Sequence, residues 1–308
     1  MIAERITAAD LSVSLDKAMR IASLLSNIQF ADLWRAQGGT PAIWQIRDHD
    51  KVIAALLGVE FRFSPLTRFQ AMPDGLYARP WIDAAISLRR SDILEALTQG
   101  ISRHSYARTH LADLDAELDP GKDWSRLDCE TTMVEIADPA WEPPDPTIRS
   151  EIRKAEREGI VVTPFDSTKH MTGFLTLMQQ TESRHGRQPK YSSQFYRELA
   201  GLAESDDRIQ WIVAERGDEL AASHIYLLDR DTALYWQAHF DKKYSFLKPN
   251  QYMLALIAAQ LRPRGIRKLN LGSSSGGSES LQAYKEKWGG VTHPYPLHQK
   301  YSFLGKLW

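Results

Sequence analysis

Lys268-Leu269-Asn270-Leu271-Gly272-Ser273-Ser274-Ser275-Gly276-Gly277-Ser278, followed shortly by Tyr284-Lys285-Glu286-Lys287-Trp288-Gly289, is the stretch on which the reading of this chain turns. An apolar strand over 268–271 enters a loop of glycine and serine and leaves it in a helix. On that helix Leu281, Tyr284, Lys285 and Trp288 recur at i, i+3, i+4 and i+7, which puts one lysine on the face otherwise built for the core. Glycines upstream let a ligand approach the backbone, so the three pieces form the wall of a pocket. The loop is not a nucleotide P-loop, because Gly272 to Gly277 is followed by Ser278 where that motif requires lysine and then serine or threonine. The alternative for Lys285 is a side chain that lays its methylenes over Trp288 and leaves its charge in water.

The 308 residues suffice for about two domains, and 43% hydrophobic with 25% charged residues is the balance of a globular protein. A formal net charge of -1 gives no global attraction for DNA, RNA or anionic membrane, so any anion must be met by a local patch. The single cysteine, Cys129, excludes internal disulfides and cysteine-rich metal clusters and fits a reducing compartment. The N-terminal stretch mixes Glu4, Arg5 and Asp10 with apolar residues and reads as neither signal nor anchor. No run approaches the roughly 18 apolar residues of a membrane span. A soluble cytoplasmic protein is expected.

The clearest break is Asp138-Pro139-Ala140-Trp141-Glu142-Pro143-Pro144-Asp145-Pro146, whose prolines forbid regular structure. It is read as a linker between a domain over 1–140 and a second over 145–308. Asp145 and Pro146 then serve as N-cap and first position of a helix through Arg149, Arg153 and Arg157. Before the break the pattern predicts a helix over 15–26, strands over 42–47, 52–62 and 67–77, a helix over 91–105, and strands near 108–114 and 131–136. After it come a strand near 160–164, helices over 169–183 and 193–204, strands over 209–215, 220–228 and 233–240, a helix over 250–261 and a final strand near 292–300. Trp44 and Trp211 each begin a hairpin whose return strand carries two alanines, at an offset of 167 residues, which suggests a duplicated α/β unit.

Leu234-Tyr235-Trp236-Gln237-Ala238, Leu247-Lys248-Pro249-Asn250-Gln251-Tyr252-Met253, Arg264-Gly265, Leu269 to Ser273 and Tyr284 to Gly289, in this order and spacing, resemble the C-terminal half of FemAB-like proteins of the GNAT superfamily. Ile148 to Ile160 resembles the charged helix that opens the second domain of that family, and His185-Gly186-Arg187-Gln188-Pro189 its short His-Gly element. The resemblance covers residues 150–308 well and the first half only in rhythm. It implies two tandem GNAT-like domains, each a mixed, largely antiparallel sheet flanked by helices. It also implies transfer of an acyl or aminoacyl group from acyl-CoA or aminoacyl-tRNA to the amine of a small molecule or a peptidoglycan precursor. The GNAT pyrophosphate loop normally carries glycines, whereas Lys243 to Asn250 here has none, which puts the acyl-CoA donor in question. A catalytically degenerate module that binds a nucleotide or peptide is the alternative.

Direct amide formation needs a group to take the amine proton and donors for the carbonyl oxygen, and no covalent nucleophile. Lys285 is the first candidate, as a cation beside the carbonyl or a phosphate. Asp241 and His239 are candidate bases, with His239 expected by strand alternation on the face of Tyr235 and Gln237. Arg153 sits in a basic stripe suited to phosphate. Arg184 and His185 are candidates for the acceptor cleft, and the family-like segments add Trp236, Gln251, Ser273 and Tyr284 as substrate contacts. His224 is a further histidine, and no histidine spacing suits a metal.

Overall fold

The protein is described from a computed structural model covering residues 1–274 and 279–307. Its strands are β1 (Ala3–Thr7), β2 (Gly39–Asp48), β3 (Lys51–Phe63), β4 (Leu66–Ala71), β5 (Trp81–Ile82), β6 (Arg108–Ala112), β7 (Ser125–Glu135), β8 (Val161–Pro164), β9 (Ile209–Arg216), β10 (Glu219–Asp229), β11 (Thr232–Phe240), β12 (Lys268–Asn270) and β13 (Val291–Tyr301). The helices are α1 (Val13–Ala22), α2 (Ile28–Asp32), α3 (Arg90–Arg103), α4 (Pro146–Arg157), α5 (Ser167–Arg184), α6 (Ser193–Ser205), α7 (Pro249–Leu261), α8 (Glu279–Glu286) and α9 (Phe303–Leu307). The architecture is mixed α/β, as the sequence suggested.

Two compact units emerge, one from residues 1–129 joined by the chain from Pro294 onward, the other from residues 130–293. The boundary therefore differs from the proline-rich stretch. Met133, Val134 and Glu135 of β7 pair antiparallel with Asn270, Leu269 and Lys268 of β12, so residues ahead of the prolines already belong to the second sheet. Leu297 to Tyr301 of β13 pair antiparallel with β6, which returns the end of the chain to the first unit. The prolines do interrupt regular structure, but as the connection from β7 to α4.

In the first unit the strand order is β1-β2-β3-β4-β6-β13, with β5 beside β3. Its core gathers Trp44, Ile46, Leu56 and Phe69 from the strands and Ile93, Leu94, Leu97 and Ile101 from α3. The helix expected over 15–26 stops at Ala22, where Ser23 adopts extended backbone. The strand expected to reach Tyr77 ends at Ala71, because Met72 takes φ +62°.

In the second unit the order is β7-β12-β11-β10-β9-β8. Asp145 caps α4 by accepting from the Thr147 and Ile148 amides, with Pro146 pre-set at the first helical position. Helix α7 packs Met253, Leu254, Ile257, Ala258 and Leu261 into a core with Tyr226, Leu228 and Ala233 of the sheet. Burying each large side chain there contributes roughly 1.5–3 kcal/mol. The opposite face holds an aromatic layer in which Phe174 of α5 and Tyr196 of α6 pack around Trp211.

Candidate functional site

Strand β12 runs parallel to β11 only where Thr232, Ala233 and Leu234 meet Lys268, Leu269 and Asn270. Beyond Asn270 the chain stays with β7 alone: the Leu271 amide donates to Thr132 O and the Thr132 amide to Gly272 O, at 2.8 and 3.0 Å. Strand β11 continues to Phe240, so the edge over 235–240 has no strand beside it on that side among the described residues. Alternate backbone N–H and C=O groups along such an edge are free to bind an extended ligand. Opposite the opening β11 is bulged. Ile225 pairs with Gln237 and Tyr226 with Tyr235, which leaves Trp236 as the extra residue.

The bulge decides which side chains share a face. Tyr235 stacks on Tyr226 toward α7, whereas Trp236 lies against Tyr191 and Phe195 and Gln237 accepts from the Tyr196 hydroxyl at 2.8 Å, both on the α6 side. His239 joins that second face, 5.5 Å from the Phe174 ring. Strict alternation had put Tyr235 with Gln237 and His239, and the extra residue removes it from them.

On the α7 face a buried polar chain forms. The His224 ring lies 2.9 Å from the Tyr226 hydroxyl through Nδ1 and 3.0 Å from Asn250 Oδ1 through Nε2, with the Tyr235 hydroxyl 3.1 Å from Nε2. An amide oxygen only accepts, so Nε2 carries the proton and Tyr226 donates to Nδ1. Burial pushes His224 down to about 3, which keeps the ring neutral. Tyr284 of α8 packs against the same cluster as Tyr235, and burial raises its hydroxyl to about 12.

Lys285 is 3% exposed and donates from Nζ to the Gly272 carbonyl at 2.7 Å. Burial lowers its ammonium to about 8. Of the face predicted for this helix, Lys285 and Trp288 are buried and Tyr284 half-buried, but Leu281 is exposed. Helix α8 ends at Glu286, and Trp288 enters the core from the turn beyond it, its amide donating a hydrogen bond to Lys285 O. The close approach is set by Gly290, where an added Cβ would lie 2.5 Å from Thr132 Cγ2 and 2.7 Å from Lys285 O.

Across the sheet, neither ring nitrogen of the buried His239 has a hydrogen-bond partner among the described residues, nor does Gln237 Nε2. Burial, followed by the nearby Arg184 charge, lowers His239 to about 4. Arg184 donates to the Phe240 carbonyl at 2.7 Å and lies 4.8 Å over the Phe240 ring. The structure thus gathers His239, Trp236, Gln237 and Arg184 at one face of the open edge, and Tyr284 at the other.

The remaining predicted residues lie elsewhere or hold other partners. Asp241 caps the turn over Lys242–Leu247 by accepting from the Lys243 amide at 2.8 Å. Gln251 donates to Glu151 of α4, which also pairs with Lys248 at 2.8 Å. His185 is exposed at the end of α5, and Ser273 is exposed beside Gly272. Arg153 stands on α4 facing a separate cavity. The loop residues Ser275 to Ser278 lie outside the described residues. Sequence reasoning missed Asn250, Tyr226 and the Thr131–Asn270 pair (2.5 Å), which fixes the end of β12. The one legible signal was Asn250 directly after Pro249 at a helix start. Among the described residues no cluster of histidine, cysteine and carboxylates could hold a metal, and no helix is long and apolar enough to cross a membrane.

Residues 146–286, within the second unit, match the family model described as "Acetyltransferase (GNAT) domain". No curated protein sequence matches the chain. Among solved structures the fold is similar to that of FemX, at 11% identity with TM-score 0.68 over 96% of both chains. It is also similar to L-PGS from Bacillus licheniformis, at 12% identity with TM-score 0.61 over 96% of this chain and 95% of that one. A tandem GNAT protein from the clavulanic acid biosynthesis pathway aligns at 10% identity with TM-score 0.53, over 96% of this chain and 98% of that one.

Proposed function

We propose that this chain, whose residues 146–286 match an acetyltransferase (GNAT) domain, forms an amide by direct attack of an amine on an acyl or aminoacyl donor seated along the open edge of β11. The observation that carries the reading is the six-residue overhang of β11 beyond its last pair with β12, with His239 unpartnered among the described residues and Lys285 bonded to Gly272, just past the end of β12. Backbone groups of 235–240 hold the donor as an added strand would. Lys285 supplies positive charge where the carbonyl oxygen gains negative charge as the tetrahedral centre forms. Neutral His239 accepts a hydrogen bond from the incoming nitrogen, which requires an uncharged ring in that site; as the C–N bond forms the donor's C–S or C–O bond breaks, and the proton lost by nitrogen ends on the departing thiol or ribose hydroxyl. Arg184 and Trp236 border the acceptor, and Tyr284 closes the opposite face. Asp241, already committed to its cap, takes no part in proton transfer.

Both donor classes, acyl-CoA and aminoacyl-tRNA, remain in the proposal, with a small-molecule amine or a cell-envelope precursor as acceptor. One feature favours the aminoacyl donor. Lys243, Tyr244 and Lys248 donate their amides to Asp241 and Ser245, so the turn ahead of α7 uses inwardly the N–H groups that a glycine loop would aim at a pyrophosphate. The same feature supports the second reading, a GNAT-like module that binds without turnover. Incubating the protein with acyl-CoA and aminoacyl-tRNA pools and an amine panel, with products read by mass spectrometry, separates the two. Amide product is expected, and binding of donor with no product across the panel leaves the module reading standing.

A further inference from the structure

Away from the open edge, three arginines converge on a cavity of about 240 Å³ between α4, the segment Trp141–Pro143 and the C-terminal half of α7. Arg149 is held by the Pro143 and Pro144 carbonyls at 2.7 and 2.8 Å, and Arg262 by the Trp141 carbonyl at 3.1 Å. Neutral carbonyls fix these guanidinium groups without cancelling their charge. Arg153 is exposed and has no hydrogen-bond or ion-pair partner among the described residues. The one carboxylate in the lining, Glu142, is 70% exposed and stands 3.7 Å from Arg149 Nε. Three positive charges against one negative leave an excess of two. Trp141 and Ile152 supply an apolar wall beside them.

We propose that this cavity binds a phosphate monoester whose organic part is planar or apolar. A monoester carries close to two negative charges at neutral pH and matches the excess. The guanidinium fork pairs with phosphate oxygens two at a time, and Arg149 and Arg262 are oriented in advance, so little side-chain freedom is lost on binding. Trp141, stacked on Trp288 with ring centroids 6.4 Å apart, brings an aromatic ring to the lining that a planar substituent can extend. The site is distinct from the acyl-transfer edge and does not depend on it: Asn250, at the open edge, and Arg262 are twelve positions apart along the chain, about 18 Å of helix.

The test is calorimetric titration of the full chain with phenyl phosphate and, separately, with inorganic phosphate. One phenyl phosphate per chain is expected, weakening as salt rises and at least tenfold tighter than inorganic phosphate. Arg153→Ala should weaken it about tenfold with the melting temperature unchanged, Arg153→Lys should restore only part, and Arg157→Ala, at an exposed position of the same helix, should leave it intact. No saturation at millimolar probe, or unchanged affinity in Arg153→Ala, would overturn the site. Equal affinity for inorganic and phenyl phosphate would overturn the organic part of the ligand.

Discussion

The two units repeat one plan and differ, besides the added β5, along the third strand. In each, a hairpin with a two-residue turn (β2–β3, β9–β10) is followed by a third antiparallel strand (β4, β11). That strand pairs in parallel with the next (β6, β12), which pairs antiparallel with a last (β13, β7). Both return strands carry a bulge at their third residue, Ile53 and Ala221. In the first unit four residues, Arg68 to Ala71, complete the parallel pairing and β4 stops there; in the second only three pair and β11 runs on for six. The buried polar groups follow the same division. Glu60 of β3 accepts from Arg5 Nε and Nη2 at 2.5 and 2.7 Å and from the Tyr106 hydroxyl. Burial works to raise its pKa, yet those bonds hold the carboxyl below the ordinary value. His239 and Gln237 of β11 keep atoms with no partner among the described residues. A satisfied buried cluster serves stability, whereas groups left unsatisfied beside an open edge are what a bound substrate would complete.

The contrast breaks most easily at Glu60. Glu60→Ala leaves Arg5 and Tyr106 without their buried partner and should cost about 3–5 kcal/mol in urea unfolding, with specific activity of the folded fraction retained. Lys285→Met should do the reverse, lowering product formation about 100-fold, or ~2.7 kcal/mol of barrier, in a protein that melts near the parent temperature. Because Lys285 loses its proton around pH 8, wild-type turnover should fall as pH rises through that value, a limb absent from the variant.

Acid sharpens the comparison further. His224 and His239 are buried as neutral rings, so below the unfolded value near 6.5 the unfolded chain takes up protons that the folded one refuses. Their contribution is intact above pH 6.5 and is lost as pH falls toward 4, on the order of 2 kcal/mol at pH 4.5 for His239 alone. Urea midpoints at pH 7 and 4.5 should show this loss, reduced in His239→Gln. A comparable cost, roughly 1–3 kcal/mol, is expected for Gly290→Ala, whose methyl meets Thr132 and the Lys285 carbonyl. The smallest stability effect belongs to His239→Leu, near zero because no hydrogen bond is removed, while its activity should still drop.

Much of this plan was legible. Alternating apolar runs around short turns gave both hairpins, although Trp44 and Trp211 lie inside their outgoing strands and do not begin them. The strands after the turns align at an offset of 168 (Lys51 with Glu219, Ile53 with Ala221), one more than the tryptophans, because the outgoing strand runs one residue further past its tryptophan in the second hairpin. The prolines misled on the boundary because they report only where regular structure stops; which sheet a flanking strand joins is a long-range pairing with no local signature. Lys285 was legible from its helical spacing. The partition of Tyr235 from Gln237 and His239 was not, since a single bulged residue at Trp236 reverses the alternation and leaves no mark in composition. Asp241 looked like a free carboxylate because capping depends on the turn that follows it.

The central claim, that the overhanging edge of β11 is the donor seat, is tested most directly by hydrogen–deuterium exchange of the full chain with and without saturating aminoacyl-tRNA or acyl-CoA. Slowed exchange confined to 235–240 and 271–274, with β4 unchanged, is the predicted result. Protection appearing in β4 or elsewhere while 235–240 exchanges as in the free protein would contradict it.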